Sequence, residues 1–468
     1  MPSAETSEAV QAASRVRLTL LLWLAGMAAL AYLCRNSISV VQKSIRSDLQ
    51  LTESQLGFIL GPAFFWTYAL AQIPSARLGE RLGPRIGLAC FAGAWSLAIA
   101  LFACTNWFPG SLAMALFGDT NWFPLLLGIW MVTGLAQAGA FPVAARTISV
   151  WFPKSERAMA SGALTAAMSL GAAISAGLTG WLVLSIPWQI VFLLYAVPGI
   201  AWGIGFSKWF RNRPESQPGV NAAELLRIGE GNEHAATPAI SEATPWLPLV
   251  TSWPMWMICG QQFCRAAAQA FFISWFPTFL QESRHITVTQ SGFLSILPHL
   301  SIAAACLSGG GLADFIYRKS GRLGWSRKGL AVVSLTLSTA LIGAAYFVHD
   351  ATGAVVVISI GIYCAALAGP GSYAVTMDMG GRHVGSVFAT MNMIGNFGAG
   401  VLPWLIPALR AWVNANPVLL DACAHDSWNA VIILIALLHL LAAICWLVLP
   451  LRGTIFDYSM IPPVSQSE

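Results

Sequence analysis

Residues 18–41 read LTLLLWLAGMAALAYLCRNSISVV, a run of 24 residues that is almost entirely apolar. A helix of this length crosses the roughly 30 Å of hydrocarbon in a bilayer, since each residue adds about 1.5 Å. Arg35 places a cation inside this run. Because charge in hydrocarbon is costly, an intramembrane cation marks a functional site that faces an interior or a watery path. The stretch therefore predicts a membrane-spanning helix with a functional arginine.

The composition of the whole chain is typical of a membrane protein. It has 468 residues, of which 56% are hydrophobic and 10% charged, whereas a soluble protein carries about 25% charged residues. Apolar runs of spanning length occur twelve times, which predicts an all-α polytopic protein in the lipid bilayer. The net charge of +5 comes from scattered basic residues, so no nucleic-acid partner is expected. The nine cysteines form no C-x-x-C pair, and we expect no metal site and no cofactor.

The distribution of basic residues predicts the orientation of the spans. Eighteen Lys and Arg residues fall on the side of the termini, four on the opposite side and three inside spans. Because basic loops stay in the cytoplasm, we expect a multi-pass protein of the cell's inner membrane with both termini cytoplasmic. The four basic residues expected on the opposite side are Lys43, Arg46, Arg284 and Arg410.

A polar loop and a repeat divide the spans six and six. Residues 209–252 carry Pro, Glu, Asn and Gly, as a linker does. RLGERLGPR (residues 77–85) follows span two, and GLADFIYR (residues 311–318) follows span eight. We therefore predict two six-helix bundles related by a parallel pseudo-repeat. The expected segments are a cytoplasmic tail (1–17), a first bundle (18–208), a cytoplasmic linker (209–252), a second bundle (253–450) and a second cytoplasmic tail (451–468).

Several motifs together resemble one family. They are RNSISV from Arg35, FFWTYALAQIP from Phe64, the segment from Phe141-Pro through Arg146 to WFPKSER (151–157), RNRPE (211–215), VNAAEL (220–225) and NMIGNFGA from Asn392. These are similar to motifs of the anion:cation symporters of the major facilitator superfamily, which include bacterial hexuronate, galactonate and glucarate permeases. The resemblance implies a secondary active transporter, not an enzyme. It would move a small organic anion, such as a sugar acid, by alternating access.

Polar residues in the first spans form a candidate substrate site. Tyr32, Arg35 and Ser39 are spaced i, i+3 and i+7, so they share one helix face. We predict that Arg35 binds a substrate carboxylate through its planar fork, the role that the resemblance also implies. The alternative is an arginine held by backbone carbonyls for packing. Tyr68 matches a substrate-contacting tyrosine of the family, with ordinary packing as its alternative.

The second half offers a matching stripe. Gln262, Arg265 and Gln269 again follow the spacing i, i+3 and i+7 in span seven, so this stripe is predicted to face the interior. We predict that Arg265 and Gln262 contact substrate, although a structural tie between helices is the alternative.

Two further spans of the second half carry candidate contacts. Gly369-Pro370-Gly371 predicts a break in span ten, which would place Tyr373 at the cavity, because broken helices line cavities. Asn392 and Asn396 share a face of span eleven, where they could bond substrate hydroxyls or a neighbouring helix.

The positions expected to couple transport to an ion carry no carboxylate. The resemblance implies an Asp before Arg35, where this chain has Cys34, and a titrating carboxylate in span four, where it has Gln137. His299 and His439 are the intramembrane groups with a suitable unperturbed pKa, although a buried His is more often a packing residue. The co-transported ion, a proton or sodium, is left open.

Charged residues at span ends resemble the superfamily's gating motif, which holds the halves closed on the cytoplasmic side in one state. They are Glu80, Arg81, Arg85, Asp314 and Arg318. Arg146 matches an arginine of sugar-acid carriers but lies near the cytoplasmic Trp151, so we favour a gating or structural role for it.

Two other functions stay open at this point. A non-proton-coupled exchanger or facilitator of an organic anion, or a transporter-like substrate sensor, would fit the missing carboxylates. A membrane enzyme would need a nucleophile–base pair or metal ligands at depth. The sequence has no H-E-x-x-H motif and no acidic pair in its spans, so we predict no catalytic residues.

Overall fold

The computed structural model describes residues 13–108, 110–117, 122–153, 156–229, 245–322, 324–380, 383–451 and 453–458. In these ranges the regular secondary structure is helical, so the all-α prediction is confirmed. Ten helical stretches are long and apolar enough to cross a membrane. Two more of similar length, Trp253–Ser274 and Val384–Ala415, carry the Gln and Arg stripe and the asparagine pair, which makes them less apolar. Together they give the twelve-helix fold.

The first bundle contains six spanning stretches. Its helices are α1 (Val16–Val40), α2 (Gln42–Asp48), α3 (Glu53–Phe58), α4 (Phe64–Cys104), α5 (Gly110–Phe117), α6 (Phe123–Trp151), α7 (Arg157–Leu182) and α8 (Trp188–Trp209). A π-helical turn, Ile59–Ala63, joins α3 to α4. Helix α4 holds two spans separated at Gly83, where φ is 75°. A Cβ at Gly83 would also lie 2.5 Å from Asn212 Nδ2, so both backbone and space require glycine.

The linker and the second bundle are also helical, and the second bundle likewise contains six spanning stretches. The helices are α9 (Ala222–Gly229), α10 (Trp246–Thr251), α11 (Trp253–Ser274), α12 (Phe276–Ser283), α13 (Val288–Leu294), α14 (Ile296–Ser320), α15 (Leu330–Ala344), α16 (Ala351–Met379), α17 (Val384–Ala415), α18 (Pro417–Ala422) and α19 (Ser427–Val448). Helix α16 runs without interruption through Pro370, so the predicted break in span ten was wrong. Proline is tolerated inside membrane helices because small local adjustments and neighbouring groups satisfy the freed carbonyl.

The two bundles meet at the side away from the termini, through small residues. A Cβ at Gly61, just before α4, would collide with the carbonyl oxygen of Gly400 in α17. A second contact of this kind joins α7 and α13, where a Cβ at Gly180 would lie 3.2 Å from Gly292 Cα. Helices approach this closely only where glycine removes the side chain. The far side is therefore closely packed.

Charged residues reinforce this closure. Arg410 of α17 pairs with Glu53 of the first bundle and, at 2.9 Å, with Glu282 of α12. Its guanidinium group lies 4.0 Å from the ring centroid of Trp428. Lys43 of the first bundle approaches Glu282 at 3.9 Å. These ion pairs join the bundles on the side where the sequence predicted Lys43 and Arg410.

Neutral hydrogen bonds also cross the bundles at this level. Gln42 donates to the carbonyl of Ser274, and Thr278 Oγ1 donates to Gln42 Oε1 at 2.9 Å. Gln281 Nε2 donates to the carbonyl of Val40 at 3.2 Å. The end of α1 is thereby fixed to α11 and α12.

On the opposite side, the linker is fixed to the start of α1. Glu224 of α9 is fully buried and accepts hydrogen bonds from the backbone N–H groups of Val16 and Arg17. Arg17 pairs with Glu224 at 3.1 Å and with Glu156 at 2.9 Å. The hydrogen bond from Arg17 holds the pKa of Glu156 below its ordinary value. Helix α9 thus acts as a carboxylate cap for α1.

Candidate functional site

Arg35 lies in the last third of α1, and its side chain is 8% exposed. The guanidinium carbon lies 4.0 Å from the ring centroid of Tyr32, 4.9 Å from that of Phe64 and 5.8 Å from that of Phe65. Among the residues that the structure describes, no carboxylate pairs with Arg35, and its Nε has no hydrogen-bond partner. Aromatic faces thus hold the cation. A deep arginine without a protein anion is suited to bind an anionic ligand.

The predicted tyrosines of the first bundle lie around this cation. Tyr32 meets Phe141 of α6 edge to face, with ring centroids 6.1 Å apart. Tyr68 stacks on Phe64 at 5.9 Å, and its hydroxyl lies near the side chain of Gln72. The structure therefore brings Tyr32, Tyr68 and Arg35 together at one place.

Arg265 has different surroundings. Its Nη1 donates to Ser372 Oγ at 3.0 Å and approaches Gln262 Oε1 at 3.5 Å. Ser372 Oγ in turn donates to Gln261 Oε1 at 3.2 Å. Within the described part of the chain, Arg265 forms no ion pair with a carboxylate. A neutral hydrogen-bond chain orients this guanidinium group and leaves its charge uncompensated.

Tyr373 connects the two arginines in space. Its side chain is 44% exposed, although it lies inside the long helix α16. Its hydroxyl lies within electrostatic range of the Arg265 guanidinium group and of the Tyr32 hydroxyl of the first bundle. Tyr68 is within the same range of Tyr32, Arg35 and Tyr373. The tyrosine hydroxyls of both bundles therefore lie near one another, with Arg35 on the first bundle and Arg265 on the second.

The asparagines of α17 bond to protein. Asn392 Nδ2 donates to Gln72 Oε1 of the first bundle at 3.0 Å. Asn396 Nδ2 donates to the carbonyl of Asn392 at 2.9 Å. Of the two roles predicted for them, the helix–helix contact is the one present in this conformation.

The positions predicted for ion coupling are buried and neutral. Cys34 Sγ lies 3.6 Å from the carbonyl oxygen of Tyr195 in α8. Gln137 of α6 donates from Nε2 to the carbonyl of Ala31 at 3.2 Å, one turn before Arg35, while its Oε1 has no partner in the described structure. His299 is buried in α14. Cys34 therefore contacts a neighbouring helix, and Gln137 adjoins the arginine.

The predicted gating residues are only partly described. The side chains of Glu80 and Asp314 lie outside the described residues. Arg81, Arg146 and Arg318 have exposed side chains on the side of the termini.

Arg85 and Asp378 make contacts within their own bundles. Arg85 donates from Nε to the carbonyl of Ser207 at 2.5 Å and from its backbone N–H to Asn212 Oδ1 at 2.9 Å. In the second bundle, Asp378 pairs with Arg327. These contacts fix, inside each bundle, the ends of the helices on the side of the termini.

Sequence reasoning missed three polar residues of this site. Gln72 could have been predicted, since it lies one turn after Tyr68 in the motif FFWTYALAQIP. Ser372 adjoins Tyr373 but carries no distinguishing pattern. Asn36, next to Arg35, is buried as well.

Comparisons with known proteins show what the whole chain is similar to. The model of the Major Facilitator Superfamily matches residues 24–403. The chain is 29% identical over 386 residues to the "Probable sulfoacetate transporter SauU" of Cupriavidus necator, covering 82% of this chain and 84% of that protein. It is 30% identical over 324 residues to the D-galactonate transporter of Escherichia coli, covering 68% and 71%. Among solved structures, a bacterial homolog of the human lysosomal transporter Spinster, inward-facing and unoccupied, superposes with a TM-score of 0.70 at 18% identity, covering 97% of this chain and 100% of that chain.

Proposed function

Because the chain belongs to the major facilitator superfamily, we propose that it is a secondary transporter that carries a small organic anion, a sugar acid or similar carboxylate, by alternating access. Membership in this family makes it a multi-pass membrane transporter and not an enzyme. Its relatives are named for sulfoacetate and D-galactonate, both organic anions. The proposal extends that substrate class to this protein.

The observation that carries the proposal is the state of Arg35. The arginine is buried among aromatic rings, and the described residues offer it no carboxylate. A carboxylate ligand would accept two parallel hydrogen bonds from the guanidinium fork, which the weakly hydrated, planar group forms readily. Tyr32, Tyr68 and Tyr373 would complete the site, and Arg265 with Gln262 would bind from the second bundle.

The orientation follows from the distribution of charge. We place both termini in the cytoplasm and the protein in the inner membrane, because the basic residues favour the side of the termini by eighteen to four. The bundles would then be residues 18–208 and 253–450, joined by a cytoplasmic linker at 209–252. In this orientation, the layer around Arg410 closes the periplasmic side. Glu80, Arg81, Arg85, Asp314, Arg318 and Arg146 would serve closure on the cytoplasmic side.

An exchanger or facilitator without proton coupling is the second candidate, and the state of the coupling positions favours it. A proton-driven symporter needs a group whose protonation follows substrate binding, and carboxylates at depth are the usual choice. Cys34 faces α8, and Gln137 has an amide that cannot titrate. Coupling to a proton through His299, or to sodium, is the competing proposal.

Counterflow in proteoliposomes tests the function. Vesicles preloaded with D-galactonate, D-glucarate or sulfoacetate are given the labelled anion outside, with pH and sodium gradients imposed separately. We expect saturable counterflow of at least one anion and less acid stimulation than in carboxylate-bearing relatives. Saturable binding without counterflow would identify a sensor instead.

Arg35→Lys supplies the residue-level test. We expect it to abolish counterflow with folding intact, because an ammonium point charge cannot replace the planar fork. Arg284→Lys is the matched control, since Arg284 also has an unpartnered Nε but lies at the closed far side. Normal uptake by Arg35→Lys would show that Arg35 serves packing alone.

A further inference from the structure

Asn36 extends the polar face of α1 that carries Arg35. Tyr32, Arg35, Asn36 and Ser39 follow the spacing i, i+3, i+4 and i+7, so their side chains leave the helix on one face. Asn36 is only 2% exposed. In the part of the chain that the structure describes, neither its Nδ2 nor its Oδ1 has a hydrogen-bond partner. A complete amide is therefore buried unsatisfied beside the anion-binding arginine.

Two buried amides near the end of α1, Gln42 and Gln281, are hydrogen-bonded. Gln42 bonds to Ser274 and Thr278, and Gln281 bonds to Val40 and to a serine of α13. These side chains show what an amide placed for helix packing looks like here. Asn36 makes none of these hydrogen bonds, so a hydrogen bond between helices does not explain it.

Four of the twelve unpartnered buried side-chain atoms in the described structure lie around this turn of α1. Besides the two atoms of Asn36, they include Arg35 Nε and the Oε1 of Gln137, whose Nε2 is bound to Ala31 one turn earlier. Unsatisfied buried polar groups are rare in folded proteins because each loses its hydrogen bonds to water without replacement. A cluster of donors and acceptors is the pattern expected around a polar ligand.

The chemistry of the cluster defines that ligand. The amide of Asn36 needs one partner that accepts from Nδ2 and donates to Oδ1, and a hydroxyl group can do both. Because Asn36 and Arg35 both lie on the polar face of α1, the hydroxyl would lie on the same side of the ligand as the carboxylate that Arg35 would hold. We infer that Asn36 is a specificity-determining residue that recognises a hydroxyl next to the substrate carboxylate, so the transported anion is a 2-hydroxy acid. This inference rests on the proposed anion transport.

Three pairs of anions that differ by a single hydroxyl test it. They are malate and succinate, D-gluconate and 2-deoxy-D-gluconate, and 3-sulfolactate and 3-sulfopropionate. Each competes for binding to, and counterflow by, the full-length protein in proteoliposomes. For the pair that binds best, we expect the hydroxylated member to bind about 10- to 100-fold more tightly, as hydrogen bonds to a buried amide allow.

Asn36→Leu should reduce that preference to about threefold or less by weakening only the hydroxylated member. Asn36→Ser, which keeps a donor and an acceptor in a smaller side chain, should retain part of the preference and guards against misfolding of the leucine variant. Asn429→Leu is the matched control, because Asn429 also has an unpartnered buried Oδ1 but lies at the start of α19. It should leave the preference unchanged.

Several outcomes would overturn the inference. They are equal binding of both members by the unaltered protein, binding of the deoxy members alone, binding of none of the six anions, and an undiminished preference in Asn36→Leu. Failure of the proposed transport is recognised separately, since it appears as normal uptake by Arg35→Lys or as binding without counterflow. An Asn36 variant that keeps the preference while Arg35→Lys is inactive would refute only the role of Asn36.

Discussion

Ser372 distinguishes a binding role of Arg265 from a structural one. The serine hydroxyl accepts a hydrogen bond from Arg265 Nη1 and donates one to Gln261 Oε1, so it orients the guanidinium group without neutralising it. Ser372→Ala should raise the apparent KM for the transported anion about 3- to 10-fold, the effect of one hydrogen bond, and leave the thermal stability nearly unchanged. Uptake kinetics and thermal unfolding of the same preparation check this. If Arg265 only ties α11 to α16, the melting temperature will fall and KM will not move.

Gly83 is a residue whose backbone determines the turn between two spans. Its φ of 75° is strained for any side chain, and a Cβ would lie 2.5 Å from Asn212 Nδ2. Gly83→Ala should therefore destabilise the protein by about 1–3 kcal/mol. Gly93→Ala in the same helix is the control, because a Cβ at Gly93 meets nothing within 4 Å and alanine favours a helix. Equal thermal unfolding of the two variants would contradict this account.

Whether the sequence predicts a site residue depends on whether that residue shares a helix with the others. Tyr32 and Arg35 were found because both lie on one helix, where spacing alone fixes which side chains share a face. The bond between Asn392 and Gln72 joins residues 320 positions apart. Such a contact depends on how two helices are rotated and how far one has moved along the other, and no local pattern encodes that. Site residues on one helix were therefore predictable, and their partners on other helices were not.

Helix α9 is held in place by its contacts with α1, the helix that it caps. Glu224 is fully buried, accepts from two backbone N–H groups of α1 and pairs with Arg17. Glu224→Ala would leave Arg17 with Glu156 as its ion-pair partner and would remove the cap at the start of α1. We expect a loss of about 3–5 kcal/mol in the free energy of unfolding, as for other broken buried pairs. Glu215→Ala in the same linker is the control, since Glu215 is exposed, and it should unfold like the unaltered protein.

Glu156 makes the same junction sensitive to acid. Hydrogen bonds from Arg17, and then from Arg227, lower the pKa of Glu156 in the folded protein. The stabilisation is therefore complete above the unfolded pKa of about 4.3 and is lost as the pH falls through the lower folded value. The melting temperature of the unaltered protein should fall more steeply below about pH 4.5 than that of Glu156→Gln. Parallel curves for the two proteins would show that this junction does not contribute.

It was easier to predict that a spanning helix exists than whether it runs without a break. Length and hydropathy identified the spanning helices, because crossing hydrocarbon requires about 20 apolar residues whatever the rest of the protein does. Pro370 was expected to break span ten, yet α16 continues through it. Whether a proline ends a helix depends on the neighbours that satisfy the freed carbonyl, and those belong to other elements.

The sequence repeat predicted two bundles but not their position relative to each other. One sequence must support both the open and the closed arrangement of an alternating-access carrier, so no pattern in it selects one. The structure has the far side closed by the glycine contacts near Gly61 and by the ion pairs of Arg410. The opposite state requires these contacts to separate.

Gly61 offers a direct way to shift that equilibrium. Because a Cβ here would collide with the carbonyl of Gly400, Gly61→Leu should prevent closure of the far side and favour the state open on that side. Spin labels on the exposed residues Ser54 and Asn414, on either side of this contact, should report a longer mean distance than in the unaltered protein. Counterflow should fall by at least about tenfold, because the closed state becomes inaccessible while binding from the open side persists. Gly128→Leu, where a Cβ meets nothing within 4 Å, should change neither reading. An unchanged distance with normal counterflow in Gly61→Leu would show that this glycine contact is not part of the closed far side in the working cycle.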